Sequence, residues 1–263
     1  EGQFMACKTH TSSTLVPFNA MGAAPRNGDV IHSAETVSSL EEVASSAVTG
    51  LRFLLMTGNL QVIARGCYAT GVSFSGLNAG EVPMMEITFK ASTWEFTSQT
   101  FPSATSVETF TPAINARSVM FLNVVGTTTR AIRTYRSLAL SYDLGMTELT
   151  GPTGVGQYQT CVGAVRGPAT IKVEWTEDAD AATASPVLAG YWDGTSAYHM
   201  CVTLNKTAGS AMGFYFPNLL PADDKPVQMA DGNINRVKLS LQAITGTTTT
   251  TELLASAFRM AFA

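Results

Sequence analysis

Between Gly80 and Phe96, GEVPMMEITFKASTWEF, apolar and polar positions alternate with period two. Met85, Ile87, Phe89 and Ala91 fall on one side of an extended chain, and Glu86, Thr88, Lys90 and Ser92 on the other. The pattern predicts a half-buried β-strand, with Pro83 marking an edge or an entry position because it brings no amide donor. The alternation slips at Thr93. Either a bulge resets the pleat and Trp94 and Phe96 join the core, or the two rings project as interface anchors. The same alternation returns from Gly232 to Gly246, with Val237, Leu239, Leu241 and Ala243 inward and Arg236, Lys238, Ser240 and Gln242 outward. Gly80–Thr93 aligns on Gly232–Thr245 without a gap, which leaves a duplicated module open beside the chance likeness of two amphipathic strands.

Around these two strands the turn signals divide the chain into four parts. Residues 1–36 read as an N-terminal arm and loop, with Leu15, Val16 and Phe18 able to add an edge strand. Residues 37–100 read as a β module with a helix. The helix is expected over Ser38–Ala47, where Ser38 with Glu41, or Ser39 with Glu42, has capping-box spacing and Gly50 is placed to stop it. Leu51–Met56 and Leu60–Arg65 form a hairpin about Thr57, Gly58 and Asn59, and Cys67–Gly76 a further strand. Residues 101–117 read as a connection.

Residues 118–263 read as a second β module. Strands are expected at Ser118–Val125, Ile132–Leu144, Gln157–Val165, Ala169–Thr176, Ala197–Leu204 and Ser210–Phe216, with a closing strand at Phe258–Phe262. Ile132–Leu144 carries bulk on both faces, as a doubly covered strand would. Gly145–Gly156 reads as a mobile loop and Thr176–Pro186 as an acidic solvated loop. About twelve strands and one helix make an all-β architecture, a sandwich or a barrel.

Composition narrows the function classes. Charged residues are 14% of the chain, against roughly 25% in an ordinary soluble domain. A surface so poor in charge suits a subunit packed against copies of itself, where each buried charge would need a partner, as well as a stable secreted β-protein. With 16 basic and 20 acidic residues and a net charge of −4, there is no basic face for tight binding of nucleic acid. The longest apolar runs, such as LRFLLM from Leu51, are too short to cross a bilayer. Cys7, Cys67, Cys161 and Cys201 show no metal-binding spacing and read as free, mostly buried thiols. With no signal-like start, that agrees with synthesis in a cytoplasm.

No motif asks for an enzyme, a metal or a cofactor. Ser73 and Ser75 in GVSFSG lack the glycine of a nucleophile elbow. Asp193, Ser196 and His199 lie close in sequence, but Ser196 and His199 would face opposite sides of a strand. His10, His32 and His199 have no ligand spacing. Glu177, Asp178 and Asp180 lack the remainder of a calcium loop. Carboxylate pairs that meet only in three dimensions stay open.

The run GCYATGVSFSGLNAGEVPMMEITFKASTWEF, Gly66–Phe96, resembles segments of the tail tube proteins (major tail proteins) and related tail proteins of long-tailed bacteriophages. RSLALSYDLG, VRGPATIKVEW, GFYFPNLL and DGNINRVKLSLQA in the second half are similar in texture to such a module. The resemblance implies a β-sandwich or barrel of tail tube type with one flanking α-helix, as one module or two. It also implies a structural virion protein that assembles with itself into rings, stacked into a conduit for the phage genome. Its partners would be its own copies, other tail proteins and double-stranded DNA in transient passage, and its place the virion tail after synthesis in the host cytoplasm. In stacking, the arm before Thr36 and the loop Gly145–Gly156 are the candidate bridges between rings. The rivals are a capsid decoration, neck or baseplate protein, and a carbohydrate-binding β-sandwich presenting Trp94, Trp175 or Trp192.

Overall fold

Sixteen consecutive residues, Leu60–Ser75, form one strand, β5, about which the first half of the protein is built. The computed structural model describes residues 7–10, 15–17, 35–38, 51–57, 60–98, 118–125, 131–151, 160–166, 169–179, 189–192, 194–205, 211–222, 227–231, 234–244 and 257–262. Among them the fold is all-β, with eighteen strands and a single helical turn, α1 (Ala189–Trp192). The helix expected over Ser38–Ala47 falls outside the described residues except for Ser38, which ends a strand.

One antiparallel sheet folds over into two layers. The first layer runs β6 (Met84–Lys90), β5, β10 (Ser137–Asp143), β13 (Thr170–Asp178), β17 (Ile234–Ala243) and β16 (Val227–Asp231). The second runs β3 (Glu35–Ser38), β18 (Arg259–Phe262), β15 (Met212–Pro221), β14 (Tyr198–Leu204), β8 (Ser118–Val124) and β9 (Ile132–Arg133). β15 makes the corner: Met212–Tyr215 pair with β18, and Leu219–Pro221 pair with β17. β17 bonds β16 only up to Lys238, and the Tyr191 hydroxyl fills the gap that follows, donating to the Ser240 carbonyl (3.2 Å) and accepting from its amide (3.1 Å).

The core follows from period two. Leu138 and Leu140, then Ile171, Val173 and Trp175, then Val237, Leu239, Leu241 and Ala243 point inward in register and are buried. They meet Met120, Leu122, Met200, Val202, Phe214 and Phe216 of the second layer. Phe74 of β5 lies edge-on to Phe214 with ring centroids 5.1 Å apart, so the two layers close on one another. The outer face of the first layer is polar. There Lys172 and Lys238 flank Glu174, each at 3.1 Å. Partial burial pulls the Glu174 carboxyl up, but the two ammonium groups outweigh it and hold it below its ordinary range.

Several expectations change. Leu60–Arg65 and Cys67–Gly76 are one strand rather than two. β10 is covered on one face only, since Ser137, Ala139 and Ser141 are exposed; β14 and much of β15 are buried on both faces. The strand β13 runs on through Glu177 and Asp178, so these do not belong to a loop, and Glu177 is fully buried; Asp180 lies outside the described residues. Part of the expected loop after Gly145 is a strand, β11 (Met146–Gly151), paired with β12 (Thr160–Arg166) in a separate hairpin. The N-terminal arm holds a second hairpin, β1 (Cys7–His10) with β2 (Leu15–Pro17). Cys67 is buried, and neither it nor Cys201 forms a disulfide.

Candidate assembly surface

β5 pairs with different neighbours along its two halves. Cys67 and the residues before it bond β4 (Leu51–Thr57) on one edge, and the residues up to Arg65 bond β7 (Thr93–Ser98) on the other. The later half, from Tyr68, bonds β6 on the β7 side and β10 on the β4 side. The chain steps from β6 to β7 at Ala91–Ser92, opposite Gly66. Gly66 has φ +60°, and the Ser92 amide donates to the Arg65 carbonyl (3.0 Å) while its hydroxyl donates to the Gly66 carbonyl (3.2 Å). That step is the break foreseen near Thr93, but it does not carry the aromatics into the core. Trp94 and Phe96 project into solvent.

Cross-strand register shows what surrounds them. Phe53, Ala64 and Trp94 form one row across β4, β5 and β7, and Leu55, Val62 and Phe96 the next. On β6, Met85 lies opposite Phe74, Ile87 opposite Val72 and Phe89 opposite Ala69. These three continue the inward face of the first layer past the edge of the second. The two surfaces meet where Phe53 and Phe89 pack edge to face at 4.7 Å. The opposite side of the three-stranded part is polar along β7, with Arg65 bonded to Glu95 (2.7 Å) and Thr97 to Gln61 (3.0 Å).

The face is bare. Leu55 is 53% exposed, Leu60 48%, Met85 55%, Ile87 39%, Phe89 37%, Trp94 57% and Phe96 68%. At about 200 Å² for a fully exposed large apolar side chain, the seven leave roughly 700 Å² of apolar surface in water. The largest patch on an ordinary monomer is about 300–600 Å², and each side of a standard protein interface buries about 800 Å². β6 pairs with β5 alone among the described strands, so its outer edge adds a row of backbone donors and acceptors to the apolar face. The half-buried strand expected within Gly80–Phe96 is instead exposed at every position of β6. Its pattern anticipated a partner that the described residues do not supply.

The residues singled out for chemistry do not converge. His199 is buried on β14, and its partner is Asn123 rather than Ser196. The Ala131 amide donates to Asn123 Oδ1 (2.8 Å), which fixes the side-chain amide so that Nδ2 donates to His199 Nε2 (3.0 Å). Burial lowers the His199 pKa to about 4, so the ring is neutral with its proton on Nδ1. Asp193 lies outside the described residues. Ser73 and Ser75 are exposed on the polar face of β5 without a histidine beside them. Trp175 is 1% exposed in the core, which removes it as a sugar platform. Among the described residues no group of three His, Cys, Asp or Glu side chains could hold a metal ion, and no helix is long and apolar enough to cross a membrane. The feature that sequence reasoning undervalued is the continuity of β6 with β4 and β7, which depends on long-range pairing.

No protein-family model and no curated protein matches the chain. Among solved structures, a chain of the cryo-EM structure of the anti-feeding prophage baseplate, six-fold symmetrised, is similar over 51% of this chain and 92% of its own length. The identity is 12% and the TM-score 0.39, a likeness that carries nothing further about this chain.

Proposed function

We propose that this protein is a structural subunit of a phage virion, and in particular a tail tube protein that assembles with its own copies into stacked rings. The observation that carries the proposal is the continuous bare face on β4, β5, β6 and β7. It exceeds what a solitary chain ordinarily leaves in water and approaches one side of a specific interface. The run that resembles tail tube proteins, Gly66–Phe96, spans the later half of β5 with β6 and most of β7, and so takes in Met85, Ile87, Phe89, Trp94 and Phe96 of the bare face but not Leu55 or Leu60.

In this reading the face is closed by a neighbouring copy, and the rings form a conduit for the genome. A subunit with net charge −4, repeated around a ring, lets a polyanion pass without holding it. Other tail proteins cap the tube, and catalysis has no part in the role. Trp94 on a sheet face also favours a carbohydrate-binding sandwich. Its row neighbours are Ala64 and Phe53, however, and the polar groups that orient a sugar are missing from that row.

Negative-stain microscopy and sedimentation of the concentrated protein test the proposal. Tubes or stacked rings are expected. Isolated rings or trimers would move the assignment to a neck, baseplate or decoration role, and a chain that stays monomeric at high concentration would sink the assembly reading.

A further inference from the structure

We propose that Met84 and Met85 form a methionine-oxidation site through which a two-electron oxidant such as hydrogen peroxide blocks closure of the bare face. The inference rests on the assembly reading above. The two residues are 61% and 55% exposed, while Met120, Met200 and Met260 are buried and Met146 and Met212 half-buried. Among the described methionine side chains an oxidant therefore reaches this pair first.

The pair is consecutive on an edge strand, so its side chains leave by opposite faces. Met85 lies on the apolar face opposite Phe74, with Ile87 next on that face, whereas Met84 lies opposite Ser75 on the polar face. In the reaction the Met85 sulfur attacks one peroxide oxygen and the O–O bond breaks. Sulfur becomes the sulfoxide, losing two electrons, and the other oxygen leaves as water. The flexible apolar tip is now a strong dipole on the face that also carries Ile87 and Phe89, where closure of the face would bury it without a hydrogen-bond partner. The same oxidation at Met84 changes the polar face and leaves the apolar one intact. Met84 is thus an internal control.

The experiment compares wild type, Met84→Leu and Met85→Leu, both near-isosteric changes, before and after mild hydrogen peroxide. Sulfoxides are located by mass spectrometry, association is measured by sedimentation, and methionine sulfoxide reductase is used for reversal. Treated wild type and treated Met84→Leu are expected to associate roughly tenfold more weakly or worse. Treated Met85→Leu keeps its association, and reductase restores the wild type. Treated wild type that associates like untreated protein overturns the inference alone, as does a Met85→Leu variant that loses association to the same degree. Untreated wild type that never associates overturns the assembly reading, and this inference with it.

Discussion

Arg133 and Glu177 form a buried ion pair between the two layers, with Nη2 to Oε1 at 2.6 Å and Nε to Oε2 at 3.2 Å. Arg133 sits on β9 and Glu177 on β13, strands far apart in the sheet order, so the pair exists only because the sheet folds over. Burial pushes the Glu177 carboxyl up from its ordinary range, and Arg133 pulls it back. Losing one partner strands the other in the core. Arg133→Met should cost about 3–5 kcal/mol of unfolding free energy, and adding Glu177→Leu should recover most of it. Denaturant titration of the single and double variants checks this; an additive double mutant would contradict it.

His199 predicts how stability depends on pH. Its pKa is 6.5 in the unfolded chain and about 4 in the buried site, so below pH 6.5 the unfolded chain takes up a proton that the folded chain refuses. The contribution is whole above pH 6.5, falls as the pH drops towards 4, and is lost there, about 3 kcal/mol in total. His199→Gln should flatten this part of the curve. Unfolding free energies of the two proteins between pH 4.5 and 7.5 should converge as the pH falls.

Gly76 turns the chain from β5 towards β6 at φ +65°, and a methyl group there would run into the Val82 carbonyl. Gly76→Ala should cost about 1–3 kcal/mol through left-handed strain alone, with the clash adding to it. Because the turn sets the position of β6, association should weaken as well. Thermal melting and sedimentation of the variant test both effects.

Phe96→Lys places a charge on the bare face while leaving the core untouched, since Phe96 is already 68% exposed. Stability of the monomer should change by no more than about 0.5 kcal/mol, and association should fall at least tenfold. Thr93→Lys, on the opposite side of β7, is the control, expected to leave association intact. Equal association by wild type and the Phe96 variant would show that the face is not an interface.

Period-two alternation made β17 legible as a strand with its core face correctly assigned, because both flanks of that strand are supplied by the same chain. It made β6 legible as a strand too, and misjudged its burial, because alternation records which side wants covering and not whether anything covers it. Glu177 read as solvated because its neighbours in sequence are acidic; its true neighbour, Arg133, is 44 positions away.

Strand content, the all-β class and the amphipathic sense of each segment were therefore determined by local order, since side-chain direction in a strand depends only on parity. The tertiary structure alone decided that β5 serves two sets of neighbours, that a buried ion pair joins the layers, and that Met85, Ile87, Phe89, Trp94 and Phe96 share one uncovered face. These depend on strand pairings between distant segments, whose register is set by turns and packing that no single stretch of sequence contains.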